Sequence, residues 1–302
     1  MKLAEHVIMV FVDGVGMGSD DPAVNPVHSG VCPVLEEMLL HAVRVDATLG
    51  VPGLPQSATG QATLLTGHNA ARLVGRHVEG FPGPALRDLV REHNLFRQLA
   101  DRGRTVTFAN AYYLDDVRAV MEHRRQSVTT VMALSVEGTV RTMERLAVND
   151  AVYQDLTREA LRSRGYAGPL VTPEQSAEHL AAIGLRHHLA LFEYFQTDRA
   201  GHTGVYAEAR VVLGLLDRFL TVLRERLVGT GAYLLLTSDH GNVEDMTSRR
   251  HTLAPVPLVW EQDGRPVDRA SVERIMDLTG VTPWLVDRME GTGVAWVSKA
   301  DR

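Results

Sequence analysis

The chain has 302 residues, of which 45% are hydrophobic and 23% charged, and its net charge is −6. That length holds one large core, or a core with an inserted cap, and the composition is ordinary for a globular enzyme. The acidic balance gives nucleic-acid binding no electrostatic support. The single cysteine, Cys32, excludes an intramolecular disulfide and points to a reducing compartment.

Residues 6–12 (HVIMVFV) form a β-branched apolar run that stops at Asp13-Gly14. The run reads as a buried parallel strand ending in a loop. It is too short for a membrane helix and has no cleavage-site pattern, so a cytoplasmic protein without membrane association is expected. Cys32 sits in no nucleophile motif and reads as a small hydrophobe at the start of a helix over 32–42, where Val34, Leu35, Met38 and Leu39 have helical spacing. Residues 62–66 open another helix after a Gly-containing turn. Residues 86–101 are strongly helical and stop at Gly103, and 104–109 then make a strand. This βα alternation predicts an α/β fold, a mostly parallel sheet sandwiched by helices.

From 113 to 172 arginines accompany helical spacing without a strong strand signal, which predicts a small, mainly helical cap insertion. The organisation expected is therefore core 1–112, cap 113–172 and core 173–302. Strands resume at 189–195, ending in Gln-Thr-Asp198, and at 233–237, ending in Ser-Asp239-His240-Gly241. A long amphipathic helix lies between them at 206–226. A strand at 255–260 and helices at 270–279 and 282–289 follow, the last with Pro283 at its start.

Three predicted strands thus end in an acid: Asp13, Asp198 and Asp239. In open α/β sheets, sites form beyond the carboxyl ends of the strands. Histidines stand beside two of these acids, in Asp198-Arg-Ala-Gly-His202 and Asp239-His240-Gly241-Asn242, and His251 follows in His-Thr-Leu-Ala-Pro. Carboxylates and imidazoles without a thiolate suit Mn²⁺ or Zn²⁺. Six such ligands are enough for a two-metal centre, which can clamp both oxygens of an in-line phosphoryl displacement. The segment GVGMG resembles a nucleotide loop but lacks the spacing and the lysine of a P-loop.

Five segments, VDGVGMG (12–18), SATGQATLLTG (57–67), TDRAGHTG (197–204), TSDHGNVED (237–245) and RHTLAPVPLV (250–259), together resemble the alkaline phosphatase superfamily of metalloenzymes. The likeness is to the branch of cofactor-independent phosphoglycerate mutase and phosphopentomutase, and it covers 1–110 and 185–290 but not the insertion. It implies a nucleophilic hydroxyl at Ser57, with Thr59 as the alternative. It implies one metal held by Asp13, Ser57, Asp239 and His240, and a second held by Asp198, His202 and His251. Mn²⁺ is favoured by the mutase-like motifs, with Zn²⁺ as the alternative. Gln61 stands where the mutases carry His and cannot shuttle a proton near neutral pH.

Arg72, Arg76 and His77, together with Gln61, are the candidate contacts to a small phosphorylated substrate. The insertion is shorter than the mutase cap, which tips the expectation toward hydrolysis of a phosphate ester through a phosphoserine. A phosphomutase is the alternative, and an inactive metal-binding protein on the same fold is the third reading. A sulfatase is disfavoured, because the Ser57 segment lacks the Cys/Ser-x-Pro-x-Arg pattern. The oligomeric state is not legible.

Overall fold

The computed structural model describes residues 3–114 and 116–291. Its sheet has seven strands: β1 (Val7–Val12), β2 (Val43–Val45), β3 (Val106–Phe108), β4 (Leu189–Tyr194), β5 (Tyr233–Thr237), β6 (Val256–Gln262) and β7 (Arg265–Pro266). The order is β2-β6-β5-β1-β4-β3, with β7 paired to β6. β3, β4, β1 and β5 are mutually parallel. β6 alone runs against them, since it is antiparallel to β5 and also to β2 and β7. The mostly parallel sheet therefore carries one reversed strand, and the short β2 and β7 add edges that periodicity did not mark.

Burial explains why β1 reads as an unbroken apolar run. Val7, Met9 and Phe11 pack into the cluster on one face of the sheet, with helices Ser57–Thr66, Pro84–His93 and Val281–Glu290. Ile8, Val10 and Val12 pack into the cluster on the other face, with helices Pro33–His41, Pro173–Gly184 and Tyr206–Leu227. A strand covered on both faces needs apolar residues at every position. Cys32 is buried as the residue preceding helix Pro33–His41, its thiol donating to the Val27 carbonyl, and burial pushes it up to about 12.

Several predicted helices are re-bounded. The helix placed at 62–66 begins at Ser57. The helix over 86–101 breaks at Asn94, whose extended backbone starts a new helix and whose side chain accepts from Arg97 N. The helix over 270–279 is only the turn Arg269–Val272, followed by a 3₁₀ turn at Leu278–Gly280 that Asp277 caps. Between 113 and 172 there are short helices at Val117–Glu122, Val128–Leu134 and Met143–Ala147. Val128, Val131, Met132 and Ala133 join the same apolar cluster as Leu86 and Phe96. Asn110 bridges Val152 and Ala111 bridges Arg141, so part of this segment lies along the β3 edge. Among the described residues, no helix is long and apolar enough to cross a membrane.

Candidate metal centre and nucleophile

The sheet order puts β5, β1 and β4 side by side, so the residues that follow them converge at one end. Neighbouring strands lie about 5 Å apart, which brings Asp239, Asp13 and Asp198 within reach of one centre. Asp198 and His202 lie four residues apart in helix Gln196–Thr203 and share a face. Two close backbone approaches make room. A Cβ on Gly14, whose φ is +73°, would lie 2.8 Å from Asp198 Cβ, and one on Gly60 would lie 2.7 Å from the Asp239 carbonyl oxygen.

All seven residues expected as ligands meet here. His240 Nε2 is 3.3 Å from Asp13 Oδ1, 3.4 Å from Asp239 Oδ2 and 3.0 Å from Ser57 Oγ. Asp198 lies 3.4 Å from the Nε2 atoms of both His202 and His251, and those two nitrogens are 3.1 Å apart. Ligand atoms of Asp13, Asp239 and His240 lie within 4.8 Å of one another, as do those of Asp198, His240 and His251. His240 stacks on His251 with ring centroids 3.7 Å apart.

The surrounding bonds fix the imidazoles. His202 Nδ1 is 2.8 Å from the Arg249 carbonyl and His251 Nδ1 is 2.8 Å from that of Pro55. A carbonyl only accepts, so each Nδ1–H donates and each Nε2 keeps a lone pair turned inward. Burial, then the neighbouring His251, pulls His240 down to about 3, so it is neutral at physiological pH. Its short contacts to Asp13 and Asp239 are therefore not ion pairs.

The donor set fits divalent metal. Asp13 Oδ1 and both carboxylate oxygens of Asp239 are buried without a hydrogen-bond partner among the described residues. Burial, then the charge of Asp198, pushes Asp239 up to about 7, and burial with the charge of Asp239 raises Asp13 well above the carboxylate range. Carboxylates this crowded and bare, facing inward imidazole lone pairs, require a cation. At His251 burial works against the charged ring, yet the Asp198 carboxylate raises it, so a proton competes for Nε2 where a metal would bind.

A second ring of contacts holds the ligands. Gln61 Nε2 donates to Asp13 Oδ2 at 3.2 Å, and Asn242 Nδ2 donates to Asp198 Oδ1 at 2.7 Å. Glu244 accepts from the amides of Gly16 and Asn242 at 3.0 and 2.7 Å, and from the Thr252 hydroxyl. Thr197 Oγ1 donates to the Asp13 carbonyl, and Ser238 Oγ accepts from Val15 N and donates to the His240 carbonyl. Sequence reasoning passed over Thr197 and Ser238, although each is a hydroxyl immediately before a strand-end acid. It also missed Glu193, a buried carboxyl on β4 that accepts from Thr129 Oγ1 at 2.7 Å.

Ser57 is the first residue of helix Ser57–Thr66, so its hydroxyl lies at the positive end of a ten-residue helix. The amides of Ala58 and Thr59 are already taken by the Val78 carbonyl. Thr59 Oγ1 donates to the Gln56 carbonyl and accepts from Val78 N, away from the imidazoles. Of the other candidate contacts, Arg72 and Arg76 are exposed, and His77 Nε2 faces the Val51 carbonyl at 3.2 Å. Among the described residues, none of these three bonds to the cluster. In the insertion, Arg158 is buried on Asn149 and Arg145 pairs with Asp150.

The Metalloenzyme superfamily profile matches residues 5–282. The 2,3-bisphosphoglycerate-independent phosphoglycerate mutase of Legionella pneumophila (strain Paris) is 32% identical over 132 residues, 37% of this chain and 25% of the mutase. That of Hahella chejuensis is 29% identical over 161 residues, 47% of this chain and 29% of the mutase. The chain thus spans between a quarter and a third of the length of these curated relatives. Among solved structures, alkaline phosphatase from the Antarctic bacterium TAB5 is similar with a TM-score of 0.54 at 11% identity, covering 96% of this chain and 98% of that one. The phosphonate monoester hydrolase of Agrobacterium radiobacter follows with a TM-score of 0.52 at 14% identity, covering 94% and 73%. At such identities the likeness is one of fold. With a profile match from residue 5 to 282 and three strand-end acids gathered with three histidines, the chain belongs to the Metalloenzyme superfamily.

Proposed function

We propose that the protein hydrolyses a small phosphate ester through a phosphoserine at Ser57. The observation that carries this reading is the Ser57 hydroxyl, set at a helix N-terminus 3.0 Å from His240 Nε2 among bare, buried carboxylates. Asp13, Ser57, Asp239 and His240 would hold one divalent ion, and Asp198, His202 and His251 the other, with Mn²⁺ proposed and Zn²⁺ as the alternative. Bound metal would supply Lewis acidity at the phosphoryl oxygens and lower the pKa of the serine hydroxyl. Ser57 Oγ gives up its proton to solvent and forms the bond to phosphorus as the bond to the leaving oxygen breaks. Water then cleaves the phosphoserine, releasing inorganic phosphate and restoring the hydroxyl. Gln61 orients Asp13 through its amide and neither takes nor gives a proton, so the leaving group takes up from water a proton equivalent to the one Ser57 released.

Hydrolysis is preferred over return of the phosphoryl group because the site is open. The His202 side chain is 47% exposed, and Arg145 and Arg158 of the 113–172 segment are engaged elsewhere. We further propose that this segment is a small cap that leaves the site open to water, and that the enzyme is soluble and cytoplasmic. The matched mutases favour a second reading, phosphoryl transfer back to the substrate. Phosphorus NMR of the Mn²⁺-loaded protein with phosphosugars and phosphoglycerates separates the two. Growing free phosphate supports the hydrolase, and a phosphoryl signal that moves without free phosphate supports the mutase. Ser57→Ala is expected to abolish either activity while leaving most metal binding. Near-normal turnover in that variant would remove Ser57 from the role.

A further inference from the structure

A cavity of 530 Å³ lies away from the metal cluster, lined by Arg141, Arg145, Arg186, Asp150, Val148 and His187 among others. Arg186 and His187 precede β4, whereas Asp198 follows it, so the cavity sits by the start of that strand and along the β3 edge. Its volume is that of small-molecule sites.

Arg141 is its floor. It is 5% exposed, its Nε donates to the Asp150 carbonyl at 2.7 Å, and its Nη1 donates to the Thr107 hydroxyl and to the Phe108 carbonyl. Among the described residues, no bond uses its Nη2. Asp150 is the one carboxylate of the lining, and it is shared: Oδ2 pairs with Arg145 Nη1 at 3.1 Å and Oδ1 pairs with Arg186. Three guanidinium groups against one carboxylate leave two positive charges in excess, on a chain whose net charge is −6. Burial, which outweighs the Asp150 charge, and the flanking Arg145 and Arg186 pull Arg141 down to about 10, which leaves it cationic at neutral pH. Like charges held together around a cavity carry a cost that a bound anion relieves. Guanidinium forks meet phosphate and carboxylate oxygens bidentately.

We propose that this cavity is a second ligand site, separate from the metal centre, that binds a small multivalent oxyanion. A phosphate-rich and a carboxylate-rich ligand share this chemistry, and pyrophosphate and citrate serve as the respective probes.

The test is calorimetric titration of each probe into the full chain treated with chelator, so that the metal cluster contributes no anion site. Saturable binding is expected. Arg145→Gln/Arg186→Gln should weaken it at least tenfold, because it removes two cations and leaves Asp150 facing the ligand. Both side chains are more than half exposed, so the fold is expected to persist, and circular dichroism checks that. A control at exposed arginines elsewhere, Arg269→Gln/Arg274→Gln, should bind as the parent does. Tighter pyrophosphate would identify a phosphate-type ligand and tighter citrate a polycarboxylate, and either supports the site. No saturable binding, unchanged affinity in the cavity variant, or an equal loss in the control would overturn it.

Discussion

Glu193 offers a stability switch outside the set of metal ligands, coupled to them only through its charge on Asp13. Its side chain is 7% exposed on β4 and accepts one hydroxyl bond, from Thr129. Burial pushes the carboxyl from 4.5 up to about 7, against the opposing pull of that bond. A raised carboxyl stabilises the native state while both states are protonated. The stability falls as pH climbs through the unfolded value and levels off above the folded one. At about 1.4 kcal/mol per pH unit, the interval from 4.5 to about 7 amounts to roughly 3 kcal/mol. Glu193→Gln keeps an acceptor for Thr129 and removes the titration. In metal-free protein, the stability of the variant relative to the parent should therefore rise by about 2 kcal/mol between pH 5 and pH 8. Urea denaturation at a series of pH values measures this, and any fixed offset from the new amide is read at pH 5 and subtracted. Asp239 is common to both proteins and cancels to first order, but the Glu193 charge is one cause of the rise in Asp13, so the comparison is made in an Asp13→Asn background. A difference that stays flat with pH would refute the assigned burial.

Chelation should lower the melting temperature, since metal at a hundredfold excess over its dissociation constant adds roughly 3 kcal/mol. Scanning fluorimetry with and without EDTA reads this, and identical curves would count against a structural metal centre. Metal uptake should also release protons. Asp239 is held at about 7 when bare and must ionise to bind, so affinity should fall as pH drops below 7. Calorimetry in two buffers of different ionisation heat detects the released proton, and equal heats would contradict it. Gly60→Ala drives a Cβ to 2.7 Å from the Asp239 carbonyl oxygen. It should cost about 1–3 kcal/mol and weaken metal binding at least tenfold. Parent-like denaturation and metal titration would show that the gap tolerates a methyl.

Much of the site was legible because the signals were local. An apolar run closing on an acid marks both a buried parallel strand and the place where it delivers a side chain, as at Asp13, Asp198 and Asp239. What was less legible depends on tertiary contact. The helix carrying Ser57 is buried on every side from Ala58 to Thr66, so it has no polar face and no 3.6-residue alternation to betray its start. Gly60 and three threonines lower its helix propensity further. β2 and β7 have three and two residues, too few for any period, and they exist only because β6 offers an edge. Arg141 reads in sequence as one of several insertion arginines, and only the fold shows it buried beneath the β3 edge.

The three strand-end acids are alike in sequence but not in bonding, and the difference bears on how the centre holds charge. Asp13 has one oxygen tied to Gln61 and one bare, Asp198 has one oxygen tied to Asn242, and Asp239 has both bare. The restraining groups are amides, which donate a hydrogen bond without carrying charge or titrating. A lysine or arginine in either place would restrain the carboxylate equally well but would cancel the negative charge that draws a divalent ion. Among the described residues, no arginine forms an ion pair with Asp13, Asp198 or Asp239. The guanidinium groups of Arg141, Arg145 and Arg186 gather instead along the β3 edge, by the other end of β4. The fold thus keeps a cation-demanding cluster and an anion-demanding cavity apart, with β4 between them, so that neither neutralises the other.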